Sequence, residues 1–75
     1  MAEKTDWEAR AANLLKAELK RRGVTYSSLA ERLARIGVDE KEVNIRNKLS
    51  RGKFTAAFLL QCFASIGANR VELLD

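Results

Sequence analysis

The sequence has 75 residues, 47% of them apolar and 32% charged, which predicts one small globular domain because so short a chain cannot bury two separate cores. It has no histidine and a single cysteine, Cys62, which excludes an internal disulfide, the usual Cys/His zinc sites and Ser-His-Asp or Cys-His catalytic groups. Fourteen Lys and Arg against ten Asp and Glu leave a net charge of +4, which favours a polyanionic partner.

The first predicted helix follows a frayed end at residues 1–5. Asp6 can cap it, and its apolar residues recur at helical spacing: Trp7, Ala11, Leu14, Leu15 and Leu19. We expect Trp7 to pack this helix on the core. Gly23 after the cluster 20–22 (Lys-Arg-Arg) is a typical helix stop.

Thr25 is the expected cap of the second helix, which runs to Gly37. Its apolar positions again share one face: Leu29, Ala30, Leu33 and Ile36. Ala30 is small, as the crossing of two closely approaching helices requires.

The third predicted helix has two compatible starts. Asp39 with Glu42 three residues later resembles a capping box and places the start at Glu40, whereas Asn44 could cap a helix that starts near Val43. We place the start at Glu40. The sequence 50–52 (Ser-Arg-Gly) closes this helix, and residues 43–53 contain four cations and no acid.

A fourth helix is predicted after Thr55, and Gly67 ends it. Residues 56–66 are apolar almost all round, which predicts a helix in the middle of the protein. Residues 69–75 alternate polar and apolar side chains and are predicted as a strand or extended chain, with a helical turn as the alternative. The predicted architecture is all-α: a compact bundle of four helices, or five elements if the tail is counted.

Residues 25–52 resemble the helix-turn-helix of the phage repressor and Cro family. TYSSLAERLARIGV is similar to the first helix and turn of that motif, NIRNKLSRGKF to its second helix, and FLLQCFASIGANRVELL to the helix that follows. The resemblance implies a lambda-repressor-like, XRE-type domain that spans residues 1–75. It also implies that Leu29, Leu33, Ile45 and Leu49 fill the wedge between the two helices. The segment from Gly37 to Gly52 is longer than is usual in that family, so either the turn is longer or the second helix starts one turn early.

The expected partner is double-stranded DNA, bound by a small transcriptional regulator. Asn44 and Asn47 could read adenine, and Arg46 or Arg51 could read guanine. The other candidate DNA-binding residues are expected at phosphates or on the same exposed face: Tyr26, Ser27, Ser28, Lys48, Ser50 and Lys53.

A homodimer is expected, with residues 69–75 as a candidate dimerisation tail, because two-fold symmetric proteins read paired half-sites. The alternative function is a protein-interaction or adaptor module that has lost DNA binding. An enzyme, a cofactor, a small-molecule substrate and a structural metal are not expected. The charged N-terminus and the lack of a membrane-spanning apolar run predict a cytoplasmic protein, and the expected DNA binding implies association with the nucleoid.

Overall fold

A computed structural model describes residues 6–71 of the chain, with side chains from residue 7 onward. Within this part all regular structure is helical, so the prediction of an all-α, four-helix fold is confirmed. The four helices are α1 (Asp6–Arg22), α2 (Tyr26–Arg35), α3 (Glu42–Arg51) and α4 (Ala56–Ser65). Residues 68–71 form no regular element. The expectations for residues 1–5 and for the last four residues of the tail lie outside the described part.

In the packed bundle, α1 and α2 each lie against both α3 and α4. The core is formed by one buried side of each helix and contains the predicted wedge. Leu29, Leu33, Ile45 and Leu49 are each at most 1% exposed. These four side chains hold α2 and α3 together, as expected, and burying each of them contributes roughly 2 kcal/mol of transfer free energy.

Threonine caps start two of the helices. Thr25 Oγ1 accepts a hydrogen bond from the Ser28 amide, and Thr55 Oγ1 accepts one from the Phe58 amide, both at 3.0 Å. Each bond satisfies an amide that has no partner within its own helix. Both predicted caps are confirmed. At α1 the helix already includes Asp6, so its predicted role as the residue before the helix is wrong.

The predicted start of α3 at Glu40 is wrong by two residues. The helix begins at Glu42 and its N-cap is Lys41, which makes no side-chain capping bond. Residues 36–41 form the connection from α2, so the longer turn is the alternative that the structure adopts. The connection first closes α2, because the Val38 amide donates to the Leu33 carbonyl at 2.9 Å and the Val38 side chain packs against the core. Glu40 then pairs with Lys48 from outside the helix.

Two expectations about burial are also wrong. Trp7 is 74% exposed, and its ring contacts the Arg10 guanidinium at 4.8 Å instead of the core. α4 is not buried all round, because α1 and α2 cover one side of it. Its other face is exposed and consists of apolar side chains only: Ala56, Ala57, Leu60 and Ala64.

The end of α3 is fixed on the first turn of α1. Gly52 is the C-cap of α3 and has a left-handed backbone, with φ of 73°. A Cβ atom at this position would lie 2.6 Å from the Glu8 carbonyl oxygen, so only glycine allows the two backbones to approach so closely. This contact determines how far α3 stands out from α1.

Candidate nucleic-acid interface

α3 has one buried and one exposed side. Ile45 and Leu49 point into the core, and at 100° per residue the position opposite them is Asn47. Around Asn47 the exposed side chains are those of Val43, Asn44, Ser50 and Arg51. None of the other helices covers this face within the described residues, so the side-chain amides of Asn44 and Asn47 and the guanidinium of Arg51 are open to a ligand.

Three of the four cations of residues 43–53 are paired with acids. Arg46 contacts Glu42 within α3 at 3.0 Å, and Lys48 contacts Glu40 at the same distance. A third and looser pair joins Lys53 to Glu8 of α1 at 3.8 Å.

Arg51 differs from these three cations because it makes no ion pair with any described residue. Residues 43–53 are therefore less positive than their sequence indicates. The cation that pairs with no acid of the described residues is Arg51, at the end of α3.

The pair between Glu40 and Lys48 reaches the core. Lys48 Nζ also lies 4.6 Å from the centre of the Phe58 ring, a cation–π contact between α3 and α4. Burial and, to a lesser extent, the charge of Glu40 raise the pKa of the Cys62 thiol to about 12, against the opposing effect of Lys48. The thiol is thus protonated at neutral pH and is unsuited to act as a nucleophile.

The N-terminus of α2 lies beside α3. The Arg46 guanidinium is 5.7 Å from the centre of the Tyr26 ring, so Tyr26 joins the same surface as Arg46. Ser27 is exposed. Ser28 is already engaged, because its hydroxyl accepts a hydrogen bond from Arg32 Nε at 3.2 Å and its amide is bonded to Thr25. Of the three predicted phosphate ligands at this helix end, Ser28 has the least free bonding capacity.

A shallow groove of about 360 Å³ runs along the exposed side of α3. It brings together five of the ten predicted DNA-binding residues with one acid that was not among them. The groove is lined by Glu40, Asn44, Asn47, Lys48, Arg51 and Lys53. Ser50 lies in a neighbouring groove between α1 and α3. The predicted residues therefore share one side of the molecule.

Sequence reasoning missed the acids that hold the cations. Glu42 and Arg46 are four residues apart, a spacing that predicts a helical ion pair once the helix is assigned. No local signal identifies Glu40 as the partner of Lys48, or Glu8 as that of Lys53, because both contacts depend on how the chain folds back. The contribution of α1 to this side of the molecule was also missed.

The described part of the chain contains neither a cluster of metal ligands nor a membrane-spanning helix. Residues 6–71 contain no group of three or more Cys, Asp or Glu that could hold a metal ion. They also contain no helix with the length and hydropathy needed to cross a bilayer.

Comparison with known proteins gives a family but no function. No curated protein and no solved structure matches the chain significantly. A family model described as "Domain of unknown function (DUF6471)" matches residues 7–71, from the first turn of α1 to the end of the described part. The chain belongs to this DUF6471 family.

Proposed function

We propose that this protein binds double-stranded DNA through the exposed side of α3, as a small transcriptional regulator of the helix-turn-helix kind. The observation that carries the proposal is the open face around Asn47, supported from behind by the fully buried Ile45. A ten-residue helix held rigidly in this way is narrow enough for the DNA major groove.

The chemistry of the exposed face favours base reading. An Asn side chain can donate to and accept from adenine, and an Arg side chain can donate twice to guanine. Asn44 and Asn47 offer the first contact, and Arg51 offers the second without first leaving an acid. Arg46 could also read guanine, but its ion pair with Glu42 must then open.

The acids at the start of α3 would repel phosphates if they were unpaired. Glu40 and Glu42 are each within 3.0 Å of a cation, so their charges are largely offset. The N-terminus of α2 adds backbone amides and the Tyr26 hydroxyl, groups that commonly contact phosphates.

The proposal is tested by titrating labelled random duplex DNA with the protein at several salt concentrations. Binding is expected to weaken steeply with salt because counterions are released. The triple variant Arg46→Ala, Lys48→Ala and Arg51→Ala should abolish binding while helicity is retained. The charge-matched control is the triple variant Arg10→Ala, Arg21→Ala and Arg35→Ala, since these three residues are exposed and lie outside α3. The absence of any complex at low salt would refute DNA binding.

Sequence preference is tested separately by selecting bound duplexes from a random pool. Enrichment of a palindrome would support base reading by a homodimer, and Asn47→Ala should then relax the preference at one position by about 1–3 kcal/mol. Salt-sensitive binding without enrichment would mean that the backbone or the shape of DNA is recognised instead.

The second candidate function is a protein-interaction module, and the exposed face of α4 favours it. Leu60 is 62% exposed on a face whose other side chains are alanines, and most cations of residues 43–53 already have partners. The same face is a candidate for pairing two copies of the chain. Sedimentation should show a dimer that Leu60→Gln or truncation after Asn69 weakens. If the wild type and both variants sedimented as monomers at all concentrations, the dimer would be refuted.

A further inference from the structure

The surface grooves of the described residues differ in their acid content. The groove along α3 includes Glu40, and a groove of about 240 Å³ beside Leu14 includes Glu18. Two other grooves include no acid at all. The α1–α2 groove, of about 270 Å³, is lined by Lys16, Leu19, Lys20, Val24, Thr25 and Tyr26. The α1–α3 groove, of about 150 Å³, includes Asn13, Lys16, Ser50 and Arg51.

Lys16 lines both acid-free grooves and so connects them. Lys20 is four residues further along α1 and therefore shares a face of the helix with Lys16, about 6 Å away along the axis. Both lysines are exposed, and neither forms an ion pair with a described residue. Together with Arg51 they form a strip of cations from α1 to the end of α3 that pairs with no acid of the described residues.

The neighbouring cations of α1 are arranged differently. Arg22 Nε donates to Glu18 at 2.8 Å, its Nη1 donates to the Ile66 carbonyl at 3.1 Å, and Arg21 contacts the same carboxylate. The Arg22 hydrogen bond, with help from Arg21, holds the pKa of Glu18 below its usual range. These two arginines are therefore committed to the structure, although they are adjacent to Lys20 in the sequence.

We propose that Lys16 and Lys20 bind the phosphate backbone of DNA beside α3, so that the interface extends onto α1. This inference rests on the proposed function. Both lysines carry a compact ammonium on a flexible stem, which suits phosphates better than base edges. Tyr26, which lines the groove of Lys20, also contacts Arg46 of α3, and Ser50 lines the groove of Lys16. One DNA strand beside α3 could thus meet both lysines.

The inference is tested with the full chain and labelled duplex DNA, by measuring the binding constant as a function of salt. The variant Lys16→Gln with Lys20→Gln should weaken binding roughly tenfold at moderate salt, equally for all sequences. It should also reduce the slope of log Kobs against log salt by about 2. A single Lys20→Gln change should reduce the slope by about 1.

The charge-matched control is Arg21→Gln with Arg70→Gln, two residues of the groove that contains Glu18. Its salt slope should equal that of the wild type. An unchanged slope in the lysine variant would overturn the inference and leave the proposed function intact, whereas a wild type that binds no DNA would overturn both. If glutamine affects folding, Lys16→Arg with Lys20→Arg must retain the wild-type slope.

Discussion

Glu40 Oε2 lies 3.0 Å from Lys48 Nζ, and the same ammonium lies 4.6 Å from the centre of the Phe58 ring. One cation of α3 thus joins the connection after α2 to the first turn of α4. The Glu40 side chain is only 15% exposed, so this pair is less screened by solvent than the pair of Arg46 with Glu42, in which both side chains are about half exposed. The contact ties the connection to α3 and offsets part of the positive charge of that helix.

The variant Glu40→Gln should bind duplex DNA more tightly than the wild type. Removal of the carboxylate releases Lys48 for a phosphate and removes a local repulsion, and we expect a gain of several-fold that shrinks with added salt. The cost in stability should be at most about 1 kcal/mol, as for other partly exposed pairs. Anisotropy titrations and denaturant unfolding measure the two effects.

Glu31→Gln is the matched control for this prediction. It removes the same charge from an exposed position of α2 that makes no ion pair with a described residue. The difference between the two variants therefore reports the release of Lys48 rather than the change in net charge. Equal affinities of the two variants would contradict the role given to Glu40.

Gly52→Ala should lower the free energy of unfolding by about 2–4 kcal/mol. The variant forces a left-handed backbone on alanine and places its Cβ 2.6 Å from the Glu8 carbonyl, so α3 must move away from α1. Gly37→Ala is the control, since its φ of 84° is also left-handed but nothing lies within 4 Å of the added atom. It should cost about 1 kcal/mol. Thermal unfolding distinguishes them, and equal losses would contradict the close contact.

Thr25→Ala and Thr55→Ala should each destabilise the protein by about 1 kcal/mol, because each removes the bond from an Oγ1 to a helix amide. The conservative changes Thr25→Ser and Thr55→Ser keep that acceptor and should restore most of the loss. Denaturant midpoints of the four variants measure this. If serine were no better than alanine, the loss would come from the methyl group and not from the cap.

Cys62 should react with thiol reagents only when the protein opens. The raised pKa, about 12 against an ordinary 9.0, means that folding favours the protonated thiol. The protonated thiol therefore contributes fully to the free energy of unfolding below pH 9, and this contribution is lost as the pH rises towards 12. Cys62→Ala, which lacks this titration, should be less stable than the wild type at pH 7, and the gap should narrow above pH 9. Labelling as fast as in denaturant would contradict the burial.

Local sequence signals determined where α2 and α4 begin. Thr25 and Thr55 bond to amides three residues ahead in the chain, so their role as caps needs no tertiary information. The apolar spacing also assigned Ile45 and Leu49 to one face of α3, because an α-helix has a period of 3.6 residues. The exposed face of α3 follows from the same period.

Contacts between residues distant in the chain were decided only by the tertiary structure. The start of α3 depends on the connection, which packs Val38 against the core and places Glu40 beside Lys48 before the helix begins at Glu42. The exposure of Leu60 depends on which helices reach α4, and a wholly apolar run carries no information about which side they cover. Whether a cation is paired likewise depends on distances in the folded chain. Arg21 contacts Glu18, whereas its neighbour Lys20 pairs with no acid of the described residues.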